Sequence, residues 1–306
     1  MEPIRSYKLT VLLVLFSSIL AHASSARTYV SVNGNDANTG TGCPVTAPCR
    51  SFGAALGVTN PFGEIVAVDN GDYAPVTVTQ SVTVQAAPGV DATVVSPFSD
   101  AIRVTVGTND IVILRGLNVN GLNTAPSGIR FTAGGTLNIE NCSITSFNMN
   151  GISIEAGGSV HIKDSEVENT GTAIRLQSSS GLIHASIDGV HLKHNMNVGL
   201  FAALNSQATL RKSVLADNRN NGISAGDFAG TSEVNVEDCL IQGSNTGIFA
   251  ANGGGGGTAL VRVSHSSIVD NSTGLSSLGA PLLSYGDNRL AGNGVNGSFT
   301  GLIALQ

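Results

Sequence analysis

Short alternations of apolar and polar residues dominate this chain, as in Gly128-Ile129-Arg130-Phe131 and Leu137-Asn138-Ile139, with Gly, Ser and Asn between them. A period of two over so few residues predicts short β-strands separated by turns, and no helical stripe lies between them. The alternation repeats. Gly-Ile or a close variant recurs at Gly128, Gly151, Ala173, Gly199, Gly222, Gly247 and Gly274, at spacings of 22 to 27 residues. Ahead of it runs a second phrase: residues 137–144 (LNIENCSI) match 160–167 (VHIKDSEV) and 234–241 (VNVEDCLI). A strand of a few residues cannot bury a face alone. Coils of roughly 20 to 30 residues can, by stacking each strand beside its copy about 4.8 Å away in a parallel sheet. The handedness of parallel crossovers makes the result a right-handed parallel β-helix, an all-β solenoid.

Aligned repeats become columns along the axis of the stack. One predicted inward column is Leu117, Cys142, Ser165, Val190, Ser213, Cys239 and Ser266, small residues suited to a tight bend. Next to it, Val119, Ile144, Val167, Leu192, Leu215, Ile241 and Ile268 supply an aliphatic core. An outward column, Arg115, Glu140, Lys163, Asp188, Arg211, Glu237 and Ser264, alternates in sign and predicts a ladder of opposite charges. Asn148, Asn169, Asn195, Asn218, Asn245 and Asn271 cluster before the glycines, where their amides would take positive-φ turns and hydrogen-bond along the stack.

The solenoid is expected over residues 61–281. Its ends need caps, because open coils expose apolar surface and unpaired strand edges. Residues 27–60 would form the N-terminal cap, with a cysteine loop and a short helix over residues 51–58 whose N-cap is Ser51. Residues 282–306 would close the other end with irregular strands. Residues 1–26 have the plan of a secretory signal: Arg5 and Lys8, an apolar run over residues 9–20, then small residues. Cleavage would follow Ala23 or Ala26. The apolar run is shorter than the roughly 18 to 20 residues a bilayer span needs, so no membrane span is expected.

Glycine numbers 38 against 9 prolines, tryptophan is absent and aromatics are 5 %, so the core must be made of thin aliphatic layers. Loss of residues 1–26 would remove two of the 15 basic and one of the 21 acidic residues, leaving 13 against 20, or −7. That sign argues against nucleic acid as a partner, and it would repel an acidic polysaccharide unless a local basic patch outweighs the field. In an oxidising compartment Cys43 and Cys49, in a turn-rich loop, can meet in a disulfide; two free thiols are the alternative. Cys142 and Cys239 fall in the inward column, four rungs apart, and are expected to be free core thiols.

Residues 29–40 (YVSVNGNDANTG), then Pro48-Cys49-Arg50-Ser51-Phe52, then Gly71-Asp72-Tyr73 are similar to the opening segment of many secreted β-helix proteins. With the repeats, they make the whole mature chain resemble a bacterial right-handed parallel β-helix repeat protein of the pectin lyase-like superfamily. The resemblance implies fold and export. It brings no chemistry with it, since the Asn-Thr-Asp, Gly-His-Gly and Arg-Ile-Lys phrases of polygalacturonases are missing. So are the Arg-x-Pro-x-x-Arg phrase of pectate lyases and the Asp-Pro-x-Asp phrase of alginate epimerases.

Candidate chemistry is therefore read from the columns. Lys163, Asp188 and Arg211 on consecutive rungs, with His161 beside them, offer a base, a carboxylate and a cation such as a uronate lyase would need. The plainer reading is a solvated charge ladder. Asp36, Asp69 and Asp72 offer oxygen atoms that calcium accepts, against a simple role in turns. His191 and His194 lack a third zinc ligand, and the glycines at 253–257 read as a turn between strands rather than a phosphate cradle. Phe201 and Phe249 would face outward two rungs apart, a thin platform for sugar rings. The first functional reading is a secreted, non-catalytic solenoid presenting a polar surface to a glycan or a cell-surface partner, without a cofactor. The alternative is a divergent carbohydrate-active enzyme, a polysaccharide lyase in the first instance.

Overall fold

The computed structural model describes residues 25–226 and 229–304. The segment expected to be a secretory signal, residues 1–26, lies outside them except for residues 25 and 26. Among the described residues the chain forms three parallel sheets of short strands. The first has 12 strands, from Ser25–Val30 to Gly301–Leu302. The second has 10, from Gly71–Tyr73 to Arg289–Ala291, and the third has 9, from Val76–Val78 to Thr273–Leu278. Each coil visits the sheets in that order, so the chain is a parallel β-solenoid of about 9 turns.

Single residues make the corners. Between the first and second sheets the chain turns on Asn141, Asp164, Lys212, Asp238 or His265, all with φ between 46° and 53°. At the second corner Asn169, His194, Asp217 and Asp270 do the same, with φ between 54° and 56°. Asn and Asp suit such left-handed positions because their short side chains hydrogen-bond locally. The strand register pairs Val119, Ile144, Val167, Leu192, Leu215, Ile241 and Ile268 rung by rung, and all are fully buried. The small-residue column beside them is buried too, and its Ser165, Ser213 and Ser266 hydroxyls each accept a backbone N–H from the preceding rung. Cys142 and Cys239 are buried free thiols whose removal from water pushes them up to about 11. Cys43 and Cys49 form a disulfide.

The asparagine column needs correction. The residues that stack are Thr170, Asn195, Asn218, Ser244, Asn271 and Asn293. Each asparagine side-chain oxygen in this stack accepts the backbone N–H of the preceding rung, and each amide donates to a main-chain carbonyl of that rung. Asn148 and Asn245 are exposed beside the column, and Asn169 is a corner residue. Each buried position stands three residues after the aliphatic residue of the second sheet, as Thr170 after Val167, Asn195 after Leu192 and Ser244 after Ile241, so the spacing from that column marks it and the asparagine type does not.

Parallel pairing also runs across the two boundaries expected for the solenoid. Ser25–Val30 pairs with Thr59–Ala67, ahead of residue 61. Beyond residue 281, Leu282–Ser284, Arg289–Ala291 and Gly301–Leu302 continue the first two sheets. At the N-terminal end Phe52–Leu56 is a short helix in which Ser51 Oγ accepts from the Ala54 N–H at 3.2 Å. Its Phe52 ring lies 5.0 Å from that of Tyr73.

Candidate functional site

The predicted charges and the predicted aromatics fall on different sheets. Lys163, Asp188 and Arg211 do occupy adjacent rungs of the first sheet, with His161 exposed on the same face. They do not form the continuous ladder expected of them. Arg211 pairs with Asp188 at 2.9 Å and Arg115 with Glu140 at 2.8 Å, whereas Lys163 reaches the corner residue Asp164 at 3.7 Å. Lys163 stands between two carboxylates of its column that other cations already hold. Lys163→Glu should still place three carboxylates in line at 140, 163 and 188, and like charges on neighbouring strands cost a few tenths to about 1 kcal/mol each. A lowered, salt-sensitive urea midpoint is the expected result, and an unchanged midpoint at low ionic strength would refute it.

The acidic candidates are likewise dispersed. Asp36 Oδ1 accepts the N–H groups of Arg50 and Ser51, and its Oδ2 accepts the Ser51 hydroxyl. Asp69 accepts from the Ser31 and Tyr73 hydroxyls and from the Val32 N–H. Burial alone would raise its pKa, but those three hydrogen bonds and the Arg50 charge more than offset this and hold it below the usual carboxylate range. Asp72 contributes a main-chain carbonyl to Arg50. The Asp36 and Asp69 carboxylates are thus engaged in hydrogen bonds that fasten the N-terminal segment around the cysteine loop. No group of three or more His, Cys, Asp or Glu side chains among the described residues is placed to hold a metal ion.

The third sheet carries a different surface. The position after each Gly-Ile points outward, and the register aligns Arg103, Arg130, Ser153, Arg175, Phe201, Ser224 and Phe249 in one column. Around the middle of it lies a groove of about 420 Å³, floored by Arg130, Glu155, Arg175, Gln177 and Phe201 and rimmed by Met149, Asn150 and Asn197. Arg130 grips Glu155 through two hydrogen bonds, of 3.0 and 2.9 Å, and also approaches the almost buried Asp100 at 3.4 Å. Burial would raise the Glu155 pKa, but hydrogen bonds from Arg130 and Ser153 and the charges of Arg130 and Arg175 hold it below the usual carboxylate range. Arg175 donates to Gln177 Oε1, a neutral partner, and forms no ion pair among the described residues. Phe201 is half-buried on the next rung, and Phe249 lies two rungs further on, past the groove.

Sequence reasoning found Phe201 and Phe249 but not Arg130, Glu155, Arg175 and Gln177. A signal for two of them was present. Arg130 and Arg175 stand at the same offset from their Gly-Ile phrase as Phe201, so extending that column would have drawn them together. Glu155 and Gln177 also share an offset, two residues beyond that column, but they stand just past the ends of their strands, where alternation no longer tells which way a side chain points.

Three stacked parallel sheets in a single chain define the class: a β-helical solenoid. The model of the right handed β-helix region matches residues 118–295, and the chain belongs to that family. Among solved structures it is similar to the pectate lyase Pel9A, at 17 % identity over 88 % of this chain and 71 % of that one, with a TM-score of 0.54. It is also similar to the Dettilon tailspike protein gp208, at 12 % identity over 94 % of this chain and 67 % of that one, with a TM-score of 0.49. No curated protein sequence matches it. At such identities the likeness is one of fold, and function rests on the site.

Proposed function

We propose that this protein is an exported, non-catalytic β-helix that binds a glycan lengthwise along the groove of its third sheet. The observation that carries this reading is the meeting, on consecutive rungs, of an aromatic face, Phe201, with the hydrogen-bonding groups of Arg175, Gln177, Asn150 and Asn197. Sugars are recognised by this pairing: the C–H face of a ring stacks on an aromatic side chain while its hydroxyls meet planar amide and guanidinium groups. Rungs about 4.8 Å apart suit successive units of an extended chain. The Cys43–Cys49 disulfide fits an oxidising compartment and supports export.

The charged set on the first sheet lends the lyase alternative little support, because Asp188 is held by Arg211 and Lys163 lies open on a sheet face, 66 % exposed. A base that abstracts a proton beside a carboxylate works better in a site that excludes water. The test is calorimetric titration with a panel of soluble oligosaccharides, alongside an assay for unsaturated uronate and new reducing ends. Binding without turnover is expected, weakened about tenfold by Phe201→Ala. Turnover that disappears in Lys163→Ala would replace this reading with the lyase.

A further inference from the structure

The charge around the groove is unusual in a chain of net charge −6. Among the described residues, Arg103, Arg130 and Arg175 stand against Asp100 and Glu155, three positive charges against two negative, which leaves one in excess. Geometry assigns that excess to a particular side chain. Asp100 lies between Arg103 and Arg130, at 3.7 and 3.4 Å, and Glu155 takes the fork of Arg130. Among the described residues Arg175 hydrogen-bonds only to the neutral Gln177, reaches Glu155 by its charge without an ion pair, and opens into the groove. Phe201, the next residue of the column, is one rung away.

We infer that the glycan is sparsely acidic: one sugar carboxylate seats on the Arg175 guanidinium while a neutral neighbouring ring lies on Phe201. This rests on the glycan reading and adds the charge pattern of the ligand. A planar guanidinium accepts a carboxylate side-on through two parallel hydrogen bonds, and Gln177 holds that plane by accepting from one of its nitrogens. A polymer charged on every unit fits poorly. Its next carboxylate on one side would meet Glu155 and Arg130, already satisfied by each other, and on the other side the apolar face of Phe201. The acidic remainder of the protein would repel every further charge.

Titration at about 0.15 M salt, where charges beyond about 8 Å are largely screened, tests this with three probes. They are a glucuronic-acid-branched xylo-oligosaccharide, the same molecule with its carboxyl reduced to an alcohol, and tetragalacturonate. The branched acid should bind about tenfold or more tightly than its reduced twin. Arg175→Gln should abolish that preference, Arg175→Lys should restore part of it by supplying charge without the fork, and Phe201→Ala should weaken both twins equally. Tetragalacturonate should bind more weakly than the branched acid. A preference for the acid that survives in Arg175→Gln, or tetragalacturonate binding as tightly as the branched acid, overturns the inference and leaves the glycan reading standing. If neither twin binds, and tetragalacturonate does not, the glycan reading falls with it.

Discussion

Replacing Asn218 by leucine is expected to destabilise the protein by about 3 to 5 kcal/mol, although the two side chains are of similar size. Asn218 is fully buried. Its Oδ1 accepts from Asn195 Nδ2 at 2.8 Å and from the Asn195 N–H at 3.3 Å, while its Nδ2 donates to the Leu192 carbonyl at 2.9 Å. Leucine would strand all three partners in a dry turn. Each unsatisfied buried group costs about 1 to 3 kcal/mol, and the added apolar burial offsets only part of the sum. Asn245→Leu is the control, because that residue is exposed beside the column and should shift stability by less than about 0.5 kcal/mol. Thermal and urea denaturation of the two variants check the contrast. Equal midpoints would mean that the asparagine stack contributes nothing.

Gly222→Val should be at least as damaging, at about 3 kcal/mol or more, for a steric reason. A Cβ at Gly222 would lie 2.7 Å from the Gly247 carbonyl oxygen and 2.6 Å from a methyl of Ile241. A Cβ at Gly247 would likewise lie 2.6 Å from the Gly274 carbonyl oxygen, so the glycines of these Gly-Ile phrases sit where one rung closes upon the next. Parallel hydrogen bonds on both sides of the strand Asn221–Ala225 resist the shift that would relieve the clash. Overpacking of this kind costs about 1 to 3 kcal/mol and occasionally more, and a β-branched side chain adds two further methyl groups. Ala173 occupies the same column naturally and is buried, so Gly222→Ala should cost clearly less than Gly222→Val. A urea midpoint for the valine variant within error of wild type would show that the rungs can separate freely.

The groove was only half legible beforehand. Phe201 and Phe249 could be read as outward because the alternation of their strands is regular. Their use depends on what stands beside them across the rungs, and there the two part company: Phe201 meets Arg175 and the groove, while Phe249 meets Ser224 and Ser276. The Lys163, Asp188 and Arg211 set shows the converse. Its residues were correctly placed on one column, but side-chain reach decided which pairs formed, and the lysine turned to the corner aspartate.

What the chain determines locally is the solenoid itself. Period-two alternation sets which side chains enter the core, recurrence every 22 to 27 residues sets the register, and the register fixes every column of the straight strands. This works because each coil touches only its neighbours, so near-neighbour rules add up to a fold. The tertiary structure alone decided where the repeat is irregular. Turn lengths vary between the second and third sheets and again after the third, and just past the strand ends side-chain reach decides the partners, as where Glu155 meets Arg130 and Gln177 meets Arg175. Positions in turns carry no alternation to read, and their partners are chosen by packing against the rungs on either side.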